Sequence, residues 1–213
     1  RASRPISYLG NHHAVSLACQ TIFDAITKTD RQVMTENKLW SFALTIYQRN
    51  AVAPACLDLQ EQCQIDVPLM LCAVFACLQG KAISDEDLTQ LHNLASPWQS
   101  DIVQSLRRIR TQLKTGPKPA PNVVTEDLRN KVKAAELAAE KIQLEMMQTW
   151  VSQLTAIDRV DDLPALPAII DIITRIAATS SKAKITQIQH DHIRVIATAA
   201  CQVKDHKAEI IQP

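Results

Sequence analysis

Glycine is scarce, with three residues in 213. Tight hairpin turns draw on residues that accept positive φ, so this scarcity disfavours a sheet of short strands. Aromatic residues make up only 4%, too few to interleave a basic surface for base stacking. No two of the six cysteines (Cys19, Cys56, Cys63, Cys72, Cys77, Cys201) form a CxxC pair, which removes the common zinc and dithiol frameworks. The net charge is +1, so the global balance asks for neither nucleic acid nor a membrane. The longest apolar run, Val67 to Leu78 in DVPLMLCAVFACLQG, falls short of the roughly 20 residues a bilayer span needs.

What is present is helical periodicity. Leu39, Phe42, Ala43, Ile46 and Tyr47 recur at i, i+3, i+4, i+7, i+8, as do Val52, Ala55, Cys56, Leu59 and Cys63. The apolar run has Asp66 as its N-cap, Pro68 in its first turn and Gly80 at its end. A helix apolar all round belongs in a core. Ser84 and Asp87 resemble a capping box opening a helix to about Ala95, and Ser96-Pro97 reads as the start of another. TGPKPAPN, 115–122, is a linker. After it, Leu128, Val132, Ala135, Ala139, Ile142, Met146 and Trp150 hold one face of a helix capped by Thr125 and ending near Leu154. DRVDDLPALP, 158–167, is a second break, followed by helices over about 168–178 and 183–206. The expected fold is all-α: an orthogonal or irregular bundle of eight or nine helices around a buried central helix (67–79), with one long helix (125–154). Residues 1–33 read as an extension, with Met34 a candidate start. Residues 34–157 read as a helical domain, and 158–213 as a helical pair packed on the same bundle. Residues 12–27 faintly resemble a signal segment, but Asp24 and the lack of an A-x-A site count against it.

Charge is distributed in blocks. Residues 51–103 set Lys81 against seven acids, net −6; residues 104–141 set nine cations against four acids, net +5. Such blocks pair within one fold or between two copies. Four cysteines fall on apolar helical positions, where a free thiol behaves as a small hydrophobe. That usage fits a reducing, cytoplasmic compartment.

LWSFALTIYQRNAVAPACLDLQEQCQIDVPLMLCAVFA, then LRRIRTQLK and VKAAELAAEKIQLEMM, carry a resemblance. Their order and spacing resemble an uncharacterised proteobacterial family catalogued as domain of unknown function twenty-three-ninety, over residues 37–154. The resemblance implies a helical fold and a bacterial cytosolic setting. It implies no activity.

The candidate sites are few. Asp158, Asp161 and Asp162 are one acidic cluster where Mg-diphosphate chemistry needs two, so a solvated linker is the better reading. His190 and His192 stand at i, i+2, about 200° apart on a helix, and His12-His13 are adjacent; neither pair chelates well. His192 reads instead as a packed or hydrogen-bonded histidine on a stripe with Ile185, Ile188, Val195 and Ala199. Glu136 and Glu140 lack the Glu-x-x-His partners of di-iron bundles and are expected on a solvated face, paired with Lys133 and Lys141 or with the arginine helix. Arg107, Arg108, Arg110 and Lys114 form a candidate basic contact patch. Trp40, Leu69, Met70, Cys72, Ala73 and Phe75 are the candidate lining of an apolar pocket. No catalytic residue, metal site or cofactor is expected.

The functional expectation is a non-enzymatic module working through a protein partner or a second copy of itself along the long helix. A small apolar or lipid ligand, in a bundle distantly like the isoprenoid synthases, is the first alternative. Nucleic acid on the basic helix is the second and is disfavoured.

Overall fold

The computed structural model describes residues 38–156, 165–180 and 184–209, the side chains at 165 and 204–209 excepted. The candidate start Met34, the 1–33 extension, His12-His13 and the Asp158, Asp161, Asp162 cluster lie outside the described residues. The helices are α1 (Lys38–Tyr47), α2 (Val52–Cys63), α3 (Val67–Leu78), α4 (Asp85–Trp98), α5 (Gln104–Thr115), α6 (Val123–Gln153), α7 (Ala165–Ser180) and α8 (Gln187–Glu209). No strand occurs among the described residues, only an isolated bridge between Lys81 and Ala156.

The helical paths number seven among the described residues rather than the expected eight or nine. The difference lies at Pro97. Its missing N–H and its ring disrupt an ordinary α turn, and the sequence therefore suggests a break there. The chain instead widens into a π turn, Gln99–Val103, closed by the Gln104 N–H donating to the Gln99 carbonyl. The path then continues into α5. The Trp98 indole donates to the Ala139 carbonyl at 3.0 Å, and Val103 is fully buried, so the wide turn is clamped against α6.

Helix α3 shows why local signals and packing agree. The Asp66 carboxylate accepts from the Leu69 N–H at 3.3 Å, and Pro68 sits where no N–H is needed. All twelve residues are buried, against α1, α4, α6, α7 and α8. At 1.5 Å per residue the helix is about 18 Å long. Its end is a Schellman turn: the Gly80 N–H donates to the Cys77 carbonyl and the Lys81 N–H to the Ala76 carbonyl, at 3.0 and 3.1 Å. Gly80 has φ +72° and open space around an added Cβ, so glycine is required there by conformation and not by crowding.

Two further expectations change. The cap of α6 is Asn122, whose side chain accepts from the Thr125 N–H at 2.9 Å, while Thr125 Oγ1 accepts from the Asn122 N–H at 2.8 Å. Thr125 is thus the third residue of the helix. The seven residues expected to share one face of this helix also differ in burial. Ala139 and Trp150 are buried, but Leu128, Ala135, Ile142 and Met146 lie in solvent. The buried side runs instead through Glu136, Ala139, Gln143, Leu144, Met147, Trp150 and Val151, because α1, α3 and α4 approach α6 from that direction.

Helices α7 and α8 complete the core. α7 lies on α3, and α8 lies along α2. Ile169, Ile172, Ile173, Ile193 and Ile196 are at most 2% exposed. Ile188, expected on a stripe with Ile185, His192, Val195 and Ala199, is 64% exposed. Replacing Ile196 by Ala is expected to lower stability by about 2–5 kcal/mol. The readout is urea unfolding followed through Trp40, Trp98 and Trp150, none of which is on α8. An unchanged midpoint would show that α8 is uncoupled from the bundle.

Candidate functional site

The candidate pocket lining is placed in packed core. Trp40, Leu69, Met70, Cys72, Ala73 and Phe75 are all buried. The Phe42 and Phe75 rings meet at 5.4 Å between centroids, Cys72 Sγ donates to the Met147 carbonyl at 3.9 Å, and Lys141 Nζ lies 5.7 Å over the Trp40 ring. A depression of about 460 Å³ lies between α7 and α8, bounded by Leu166, Ile170, Thr174 and Arg194. Another of about 210 Å³ lies beside Ser84, Asp87, Trp150 and Gln153. Neither touches Leu69–Leu78. Burial pushes the Cys56 thiol up to about 12 and raises the Cys72 thiol as well, which keeps both in the unreactive protonated form.

The acids and bases converge where α5 crosses α6. Arg107 and Arg110 are three residues apart on α5, and Glu136 and Glu140 four apart on α6, so each pair shares a helix face. Arg107 Nε donates to Glu136 Oε1 at 2.9 Å and its Nη2 to Glu140 Oε1 at 2.8 Å. Arg110 holds both oxygens of Glu136. Beside them, Gln143 Nε2 donates to Asp66 Oδ2 at 2.6 Å. Gln143 is fully buried, and its own Oε1 has no partner. The cluster therefore ties the root of the α5–α6 hairpin to the start of α3.

Burial sets the protonation of this cluster. It pushes the Asp66 carboxyl up to about 6 against the pull of the Leu69 N–H, Gln143 and Arg107. Burial likewise raises Glu140 to about 7; Arg107 opposes the rise, and Glu136 and Asp66 add to it. For Arg107 burial acts downward, but Glu140 and Glu136 outweigh it and hold the guanidinium charged.

The four residues of the candidate basic patch are thus divided. Arg107 and Arg110 are consumed by carboxylates. Arg108, on the other side of α5, is exposed and reaches only Ser105 Oγ. Lys114 is exposed near the hairpin tip. Glu136 does pair with the arginine helix, yet it is 6% exposed rather than solvated. Two acids of the 51–103 block are engaged elsewhere: Asp58 meets His192 Nδ1 at 3.0 Å, and Asp85 meets Arg175. His192 is hydrogen-bonded as expected, though only half-buried. Sequence reasoning missed Asp66 and Gln143 as members of the cluster. The one signal was a glutamine set between Ile142 and Leu144. Among the described residues no group of three His, Cys, Asp or Glu side chains is arranged to hold a metal.

Beyond this root the hairpin is thinly buried. α5 has no buried residue, and α6 has none between Thr125 and Glu136. Ile102 and Ile109 are 38% and 45% exposed; Leu128 and Ile142 are 49% and 43%. Each pair repeats at seven residues or a multiple of it, so each forms a row along its helix. Both rows are turned the same way from the α5–α6 contact, and in an antiparallel pair that opens them on one face.

The cluster makes stability pH-dependent with a defined sign. A carboxyl raised from its ordinary 3.8 to about 6 binds its proton more tightly in the folded state. Its contribution is complete below pH 3.8 and is lost as pH rises through 6. Asp66→Asn keeps a good N-cap and cannot ionise. The variant is therefore expected to gain about 2–3 kcal/mol relative to wild type between pH 4 and pH 7, measured by chemical unfolding across that range. A constant difference would contradict the assignment.

The model of one protein family matches residues 38–147, described as "Protein of unknown function (DUF2390)". That span contains α1 to α5, most of α6 and every member of the ionic cluster. No curated protein and no solved structure matches the chain. Because the match covers more than half of its length, the chain belongs to the DUF2390 family.

Proposed function

We propose that this protein is a non-enzymatic helical interaction module whose contact surface is the open face of the α5–α6 hairpin. The observation that carries the reading is the apolar row of Ile102, Ile109, Leu128 and Ile142 left in water at helical spacing on an arm with little core of its own. An isolated exposed leucine means nothing, but aligned rows on two adjacent helices are the pattern a third helix covers. The arm is held at its root by the Arg107, Arg110, Glu136 and Glu140 cluster, so the face is presented preformed and a partner does not have to order it. α3 serves as the hub of the bundle, and α7 and α8 belong to the same folding unit. Among the described residues no cysteine is in a disulfide, and four of the five are buried, in keeping with a reducing cytoplasm.

The nucleic-acid alternative loses two of its three arginines to Glu136 and Glu140. The apolar-ligand alternative has packed side chains where it needs a cavity. The interaction reading is tested with a photo-activated cross-linking residue placed at Leu128 or at Ile109 in cells of the source organism, with exposed Glu61 on α2 as the control. A discrete protein adduct is expected at the arm positions and not at Glu61. Arm positions that give no adduct would overturn the reading.

A further inference from the structure

The outer face of α6 stays exposed along its whole length, through Val124, Leu128, Lys131, Ala135, Ala138, Ile142, Glu145, Thr149 and Ser152. The chemistry of this face is symmetric about one residue. Lys131 lies seven residues before Ala138 and Glu145 seven residues after it, so all three share a face two turns apart. Near the centre stand Ala134 and Ala135, and beyond them Ile142 and Leu128. Lys131 pairs only with Asp127 on its own helix, at 2.8 Å and fully in solvent, an interaction of little worth that exchanges easily. Glu145 has no ion-pair partner among the described residues.

We infer that the occupant of this face is a second copy of the same chain, its α6 lying antiparallel across the first with a two-fold axis at Ala138. The inference rests on the interaction reading above and names its partner. In this register Lys131 of each copy meets Glu145 of the other, twice by symmetry, as an isologous contact requires. Three alanines at the centre allow the helices to approach closely, since interaxial distance follows the size of the side chains at the crossing. Ile142 and Leu128 on either side supply apolar area. Antiparallel orientation also sets the helix dipoles favourably. A parallel arrangement would oppose Lys131 to Lys131 and Glu145 to Glu145. A pairing over about 40 Å of helix buries on the order of 1,000 Å², the lower size range of specific interfaces.

The test is charge exchange on the full chain. Sedimentation equilibrium should show a concentration-dependent dimer for wild type. Lys131→Glu and Glu145→Lys, each alone, should weaken dimerisation by about tenfold, because each replaces two attractions by two repulsions. The double variant should return to near the wild-type dissociation constant. Both positions are exposed, so circular dichroism should confirm folding in every case. Ala138→Cys should form a disulfide-linked dimer on mild oxidation. A monomer at all concentrations, or single variants no weaker than wild type, would overturn the self-pairing. The Leu128 cross-link separates the two claims. An adduct of twice the chain mass supports both. An adduct of another mass retires the second copy and leaves the interaction reading standing. No adduct retires both.

Discussion

Two guanidinium groups and three carboxyl groups meet where α5, α6 and the start of α3 come together, and the placement of the rest follows from their need for one another. A charge taken out of water loses several kcal/mol of solvation unless partners surround it. Glu136 is nearly fully buried, so it is tolerable only with Arg107 and Arg110 both on it. That requirement fixes how α5 lies along α6. Gln143, one turn further along, then reaches Asp66, and Asp66 is the residue that begins α3. Gln143 thus links α6 to the first turn of α3, close to the ion pairs of the hairpin.

The cluster also explains the shape of the hairpin. Most of the buried apolar side chains among the described residues belong to α1, α2, α3, α7 and α8, and α6 shares in that core only over its second half. The first half is held to α5 by ion pairs, and Trp98 and Val103 clamp the π turn against α6. Ion pairs fix geometry well but shield little apolar surface. Ile102, Ile109, Leu128 and Ile142 are therefore left outside the fold while the hairpin keeps a defined position.

The mixed charge of the arm reads differently once its pairs are removed. As a sequence, 104–141 is a basic block suggestive of an anionic partner. In three dimensions its arginines are largely neutralised from within the same block. What remains on the outer face of α6 is an alternation of Lys131, alanines, Ile142 and Glu145. Such a pattern favours a helix of complementary order over a uniformly charged polymer, and α6 reversed is itself such a helix.

The sequence by itself determined the local structure: the all-helical class, the caps at Asp66 and Ser84, the glycine stop at Gly80, the linker at 115–122 and the burial of α3. These are governed by neighbours within four residues or by composition. Family membership was legible too, in the order of its motifs. Tertiary structure alone decided which side of an amphipathic helix is covered, since an apolar stripe is blind to whether a partner arrives; Leu128 and Ile142 share a stripe with buried Trp150 and are themselves exposed. It also decided that Pro97 is carried inside a continuous helix, because the clamp from Trp98 to α6 lies 41 residues away in the chain. And it decided that Glu136, Arg107 and Asp66 are one group, because Coulomb attraction depends on distance in space, and no spacing along the chain records that distance.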